Sequence, residues 1–257
     1  MDICPVKGNS AGTPLHRQKT NTMQFNNNKI IGGLFIIAAV ALFIPYTALT
    51  IIFEYPDILR QDTATILIKF YQGGSTLVGT WFAFALTGLP LIPAYILLGQ
   101  RLEGQSRWAR VATNIGVAGL IVQMVGLLRW TFVVPVLADS FVHATDPATK
   151  AAAIMSFKTI HQFGGVVLGE HLGQLFTVAW TVLITASFVK TRMMPRWVNV
   201  MGIISAVIYF MAQGELLHTV IPSFPSWDLA GFLGSTLWLV WLIILGVVLV
   251  RRKEIAS

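Results

Sequence analysis

Cysteine is almost absent from this chain, with Cys4 as the single example among 257 residues. A disulfide within the chain needs two cysteines and a thiolate metal site needs several, so the composition excludes both. Charged residues are also scarce, at 11%, while hydrophobic residues make up 55% and the mean hydropathy is +0.70. These values exclude an ordinary soluble domain and indicate an integral membrane protein, whose first partner is the lipid bilayer.

Long polar segments are missing between the apolar runs, several of which reach the roughly 20 residues that a membrane-spanning helix needs. We therefore predict an all-α membrane protein, a bundle of six transmembrane helices without a soluble domain. The predicted helices cover approximately residues 30–53, 73–98, 111–137, 164–189, 198–221 and 229–250.

The two ends of the chain are polar and are predicted to lie outside the bundle. Residues 1–29 are rich in Asn, Thr and Lys and are predicted to be a disordered cytoplasmic tail. Residues 30–250 form the transmembrane domain, and residues 251–257 a basic cytoplasmic tail. The apolar run from Ile30 exceeds the roughly 7–15 residues of a signal-peptide core, so we expect it to remain as an anchor. Met23 is an alternative start.

The positive charge follows the membrane topology. The net charge is +7, and the two tails with the connections 99–110 and 190–197 hold thirteen lysines and arginines, against four in the opposite connections. Because cytoplasmic loops are enriched in Lys and Arg, both termini are predicted to be cytoplasmic. This distribution explains the basic charge without nucleic acid, which we do not expect as a partner.

The fourth predicted helix combines ionisable residues with small ones. Glu170 and His171 stand side by side in it, and an ionisable residue inside a spanning helix costs about 2.5–3.5 kcal/mol on insertion scales, which favours a functional role. Gly165, Gly169 and Gly173 repeat every four residues and would let another helix approach closely. Helix three carries a comparable arc of Gly116, Gly119, Gln123 and Gly126.

Five ionisable residues fall at a similar predicted depth, in the outer half of the bilayer. They are Arg129 of helix three, Glu170 and His171 of helix four, and Glu215 and His218 of helix five, with His161 just above them. Because each charge makes burial of the others less costly, the cluster predicts a binding site for an ion or a small polar or anionic ligand, in a transporter-like protein. Arg129 would supply the fixed positive charge, which the glutamates would compensate.

Two other interpretations of these residues remain open. In the first, Arg129 forms an ion pair with Glu170 or Glu215 whose sole role is to hold helices together, and the protein is a structural or assembly partner. Alternatively, the histidines would ligate a haem or a metal in a redox protein, and the candidate ligands are His171, His218 and His161. No motif assigns a cofactor or a catalytic residue, and we favour a role other than catalysis.

Four stretches of the sequence resemble a family of bacterial membrane proteins, grouped as domain of unknown function 4386. They are GLLRWTFVVPVLA at 126–138, GEHLGQLFTVAWTVL at 169–183, MPRWVNVMGIISAV at 194–207, and EYPDILRQ after the first helix. The motif around Arg129 and the Glu170–His171 pair are the most specific parts. The resemblance implies a six-helix, multi-pass protein of the bacterial inner membrane, and it implies no activity, because the family has none assigned.

Overall fold

The computed structural model describes residues 14–252, which form helices and short connections without a strand. Six helical spans in this part of the chain are long and apolar enough to cross a membrane, as the sequence predicts. They cover Asn28–Phe53, Thr63–Glu103, Arg107–His143, Pro147–Thr191, Arg196–His218 and Ala230–Arg251.

Ten α-helices, one π-helix and a short 3₁₀ helix at Asp57–Arg60 build the described chain. Their bounds are α1 Pro14–Phe53, α2 Thr63–Leu86, α3 Leu91–Glu103, α4 Arg107–Phe132, α5 Val134–His143, α6 Pro147–Ile160, the π-helix His161–Leu172, α7 Gly173–Thr191, α8 Arg196–Met211, α9 Gln213–His218 and α10 Ala230–Arg251.

The first helix starts earlier than the sequence predicts. Helix α1 begins at Pro14 rather than near Ile30, because adding a residue to an existing helix is far easier than starting a new one, even for a polar segment. The predicted disorder of residues 1–13 and the basic tail from residue 253 lie outside the described residues.

Spans two, three and four are longer than predicted, at 41, 37 and 45 residues. At about 1.5 Å per residue, each exceeds the roughly 30 Å of the hydrocarbon core. The additional length packs together as a helical cap, which we define as residues 63–73, 134–143 and 147–160. Buried aromatic side chains join its three segments, with Phe70, Phe141 and Phe157 among them. The side of the bundle that carries this cap is the cap side.

Two aspartates begin helices of the cap. The Asp62 carboxylate accepts hydrogen bonds from the backbone N–H groups of Ala64 and Thr65, and Asp146 accepts one from Thr149 at 2.8 Å. The Thr65 hydroxyl, more than the backbone, holds the pKa of Asp62 below its usual range, and the Thr149 N–H lowers the pKa of Asp146. Both carboxylates therefore stabilise the cap at neutral pH, and that contribution is lost as the pH falls through their lowered pKa values.

Two groups of buried side chains fill the bundle on either side of its middle. Away from the cap, the rings of Tyr95 and Trp180 stack with centroids 3.9 Å apart. On the cap side, Trp81 and Trp130 stack at 4.7 Å. The outward surface is apolar as well, with isoleucines such as Ile44 exposed at the periphery of α1. Exposed apolar residues on spanning helices indicate that lipid surrounds the bundle.

The glycines of the third and fourth spans meet, which gives the close helix contact that the glycine spacing of the fourth span predicts. A Cβ atom on Gly126 of α4 would lie 2.6 Å from the Cα atom of Gly169 and 2.7 Å from the carbonyl oxygen of Gly164. Farther along the same interface, Gly119 packs against Phe176 and Gly173 against Gln123. The backbones therefore approach as closely as small residues allow.

Substitutions at Gly169 test how much space this interface holds. A Cβ atom there would lie 3.4 Å from the Gly164 oxygen and 3.5 Å from the Gly126 Cα atom. Alanine should therefore cost little, whereas leucine should lower the melting temperature in detergent by forcing α4 away. Equal melting temperatures for Gly169→Ala and Gly169→Leu would show that this face of the helix is open.

Reporter fusions test the predicted orientation. With both termini cytoplasmic, a reporter after Ser257 or in the connection 192–195 should give cytoplasmic signal, and one in the connection 222–228 should give signal from the opposite side. A fusion at Ser257 that reports from outside would reverse the topology and place the cap in the cytoplasm.

Candidate functional site

A cavity of about 250 Å³ lies in the middle of the bundle, between the two groups of buried side chains. Side chains from most of the spans line it. Toward the cap these are Tyr46, Tyr55, Arg129, Glu170 and Tyr209, and at the other end they are Ala38, Leu91, Leu120, Leu239 and Leu242. Because Leu120 precedes Arg129 by nine residues of α4, the polar and apolar ends are about 13 Å apart.

Two interrupted helices contribute to the cavity wall. Span two breaks between α2 and α3 at residues 87–90, and Thr87 and Gly88 of this break line the cavity. Span four contains the π-helix, which brings Gly165, Gly169 and Glu170 to the wall. Irregular backbone at membrane depth is tolerated where it lines a cavity or is covered by protein, and π-helical turns frequently occur at functional sites.

Arg129 is the most deeply buried charge at the cavity, with 7% of the residue exposed. Its guanidinium Nη1 donates to the carbonyl oxygen of Gly126, and the group lies 5.2 Å from the centroid of the Trp130 ring. Gly165 provides the space, because a Cβ atom there would lie 2.6 Å from Nη2 of the arginine. Nε has no hydrogen-bond partner among the described residues, so Arg129 retains unused donor capacity.

Glu170 is the carboxylate that interacts electrostatically with Arg129. Both residues line the cavity, but no ion pair within 4.0 Å joins them in the described structure. Tyr55 also lies within electrostatic range of Glu170, and burial raises the pKa of the Tyr55 phenol, so that it keeps its proton as a hydrogen-bond donor. The polar end of the cavity therefore presents a cation, an anion and hydroxyl groups.

Glu215 and His218 do not line the cavity and lie at the rim of the cap side, with Glu215 within electrostatic range of Glu170. The carboxylate of Glu215 is 40% exposed and lies 3.6 Å from Nη2 of Arg60, a partner that the sequence did not indicate. Nδ1 of His218 lies 3.0 Å from the carbonyl oxygen of Phe224 on the surface. Of the five residues predicted to cluster, the structure thus brings Arg129 and Glu170 to the cavity.

The candidate metal ligands His161 and His171 have different surroundings in the structure. His161 stacks on Phe157, with ring centroids 5.4 Å apart, and His171 follows Glu170 on the π-helix without lining the cavity. Among the side chains that the structure describes, no three His, Cys, Asp or Glu residues are close enough to hold a metal ion. The structure adds no support for a haem or metal site.

The polar face of α7 joins helices. Gln174 Oε1 accepts a 2.7 Å hydrogen bond from Gln213, Thr177 accepts one from Gln123 at 2.8 Å, and the Thr181 hydroxyl accepts from Trp238 Nε1 at 3.0 Å. Such interhelical bonds stabilise packing in a membrane. These three hydrogen-bonded residues of α7 follow Glu170 along the chain, away from the cap. Because all three bond to other helices, this polar face of α7 serves packing between helices.

Three tyrosines at the cavity were missed by the sequence analysis. The hydroxyls of Tyr46, Tyr55 and Tyr209 make no hydrogen bond to another described residue, and Nε1 of the neighbouring Trp81 is also without a partner. Aromatic residues in apolar runs look like core or interface anchors. The one available signal is Tyr55, which lies in the EYPDILRQ stretch that carries part of the family resemblance.

Comparison with known proteins matches the chain to a family. The model of a protein family described as Domain of unknown function (DUF4386) matches residues 30–246. No curated protein and no solved structure matches the chain.

Proposed function

Since this chain belongs to the family described as Domain of unknown function (DUF4386), its membership assigns no activity, and we propose a function from the cavity. The protein binds a small polar or anionic ligand inside the membrane, at the cap end of the cavity. Arg129 provides the fixed positive charge of the site and Glu170 the negative one. In the bacterial inner membrane, with both termini cytoplasmic, this end would lie in the outer half of the bilayer.

One observation carries the proposal, namely that Arg129 and Glu170 face the same cavity with unused hydrogen-bonding capacity. A buried charge is costly unless it is paired and hydrogen-bonded. Arg129 has a single backbone acceptor, and its carboxylate neighbour lies beyond 4.0 Å. A ligand that accepts a hydrogen bond from the Arg129 guanidinium and donates one to the Glu170 carboxylate would satisfy the hydrogen-bonding capacity of both groups.

The interrupted helices support a carrier-like role. In secondary transporters, substrates bind near the bilayer midplane where spanning helices are broken. The break at residues 87–90 and the π-helix both contribute to the cavity wall. We propose that these segments allow the cavity to open, as a carrier requires.

A purely structural role for the charges is less well supported. An interhelical clip would be expected to bring Arg129 into direct contact with a carboxylate, whereas its hydrogen bond goes to Gly126 of its own helix. Glu215, the other predicted clip partner, is paired with Arg60.

Native mass spectrometry tests the binding function. Wild-type protein released from lipid nanodiscs should carry a non-covalently bound small molecule other than phospholipid. The variant Arg129→Ala/Glu170→Gln should release without it, because both charges that hold the ligand are gone. A wild-type protein that carries only phospholipid, or equal occupancy in both proteins, would contradict a ligand site at these residues.

A further inference from the structure

Resting on the proposed function, we infer that the ligand is a small zwitterion with an apolar side group, of the size and chemistry of a hydrophobic α-amino acid. The inference combines the charge balance at one end of the cavity with the size and lining of the rest of it.

The charge balance favours a ligand that carries both signs. Arg129 and Glu170 face the cavity within electrostatic range of each other but are not in direct contact. A simple anion beside Arg129 would bring a second negative charge close to Glu170, and a simple cation would bring a second positive charge close to Arg129. In a site of low dielectric such repulsion is strong. A zwitterion places a carboxylate on the arginine and an ammonium on the glutamate, and the site stays neutral.

The surrounding groups suit such a head group. Arg129 lines the cavity and its guanidinium has one hydrogen bond, from Nη1 to the carbonyl oxygen of Gly126, so the group has donor capacity left for a ligand carboxylate. Trp81, Trp130 and Tyr55 line the same end of the cavity.

The rest of the cavity is apolar and small. Its far end is lined by leucines of α3, α4 and α10, namely Leu91, Leu120, Leu239 and Leu242. The volume of about 250 Å³ is below the roughly 300–1,000 Å³ of sites for drug-sized ligands. An aliphatic side group would fill this end and leave the zwitterionic head between Arg129 and Glu170.

Three matched probes test the inference in nanodiscs by isothermal titration calorimetry. They are L-leucine, 4-methylpentanoate, which lacks the ammonium, and 3-methylbutylamine, which lacks the carboxylate. L-leucine should bind, and each of the other two should bind at least about tenfold more weakly, because each leaves one buried charge without a partner. L-alanine, with its smaller side group, should also bind more weakly than L-leucine.

The variant Glu170→Gln provides the matched control within the chain. It should weaken binding of L-leucine while leaving 4-methylpentanoate unchanged or tighter, since it removes the partner of the ammonium and the repulsion of the carboxylate. Binding of 4-methylpentanoate to the wild type as tight as that of L-leucine would overturn the zwitterion in favour of an anion. Equal binding of 3-methylbutylamine would overturn it in favour of a cation.

The outcomes separate this inference from the proposed function. If none of the three probes binds while native mass spectrometry still finds a small molecule that depends on Arg129 and Glu170, the ligand class is wrong and the binding function stands. If neither experiment detects a ligand, both are wrong.

Discussion

Replacing Arg129 with alanine should lower the free energy of unfolding by less than the about 3–5 kcal/mol that breaking a buried ion pair in direct contact costs, because no ion pair within 4.0 Å joins Arg129 to Glu170 in the described structure. The arginine is 7% exposed and Glu170 is its carboxylate partner in electrostatic range. Without Arg129, Glu170 is left as an uncompensated charge at membrane depth. Equilibrium unfolding of the protein in mixed micelles measures the change.

A second substitution identifies the partner. Adding Glu170→Gln to Arg129→Ala should restore much of the lost stability, because it removes the stranded charge and keeps the shape of the side chain. Adding Glu215→Gln instead should restore little, since Glu215 pairs with Arg60 at the rim. Rescue by Glu215→Gln, or additive losses in both double variants, would show that Glu170 does not balance Arg129.

Replacing Gly126 with valine should destabilise the protein by more than the about 1–3 kcal/mol typical of overpacked sites. Even the first added carbon would lie 2.6 Å from the Cα atom of Gly169, and backbone atoms cannot rotate away as a side chain does. The contact also forms one wall of the site, because Glu170 follows Gly169 directly. The melting temperature in nanodiscs gives the comparison.

Gly79 of α2 is the matched control for this substitution. A Cβ atom there would meet no heavy atom within 4 Å, so Gly79→Val should leave the melting temperature almost unchanged. A similar loss for both variants would attribute the effect to helix propensity rather than to the contact between α4 and the π-helix.

The six spans and the glycine contact follow from the sequence alone. Apolar runs of membrane length specify the spans, since their backbone must be satisfied within a helix. The four-residue spacing of Gly165, Gly169 and Gly173 predicts a close helix contact, and the structure pairs it with Gly126. These features are local in the chain, so periodicity is enough to find them.

The cap and the interrupted helices depend on tertiary packing. The charged residues in the stretch 54–72 argue against a span there, yet residues 63–72 are helical because Phe70 and its neighbours are buried against α5 and α6. Likewise, nothing in the sequence of residues 161–172 indicates a π-helix instead of an α-helix. In the π-helix each backbone N–H bonds to the carbonyl five residues earlier instead of four. This segment packs tightly against Gly126 and Arg129.

The candidate site was predicted in part. Common depth placed Arg129 and Glu170 together, but depth says nothing about which face of a helix a residue occupies or which loop folds over it. Glu215 therefore pairs with Arg60 of the first connection, and Tyr55 of that connection lines the cavity. Arg60 and Tyr55 both lie in the connection between the first two spans, and helical periodicity says nothing about where a connection lies.

Cysteine accessibility tests most directly whether Arg129 and Glu170 face an open ligand site or a sealed contact. In a background with Cys4→Ser, the variant Ser235→Cys places a thiol at the cavity wall, and Ser187→Cys places one at a position that is fully buried in packing. A neutral polar methanethiosulfonate reagent should label position 235 and should not label position 187. Failure to label position 235, with both variants folded, would contradict a cavity that admits a polar ligand.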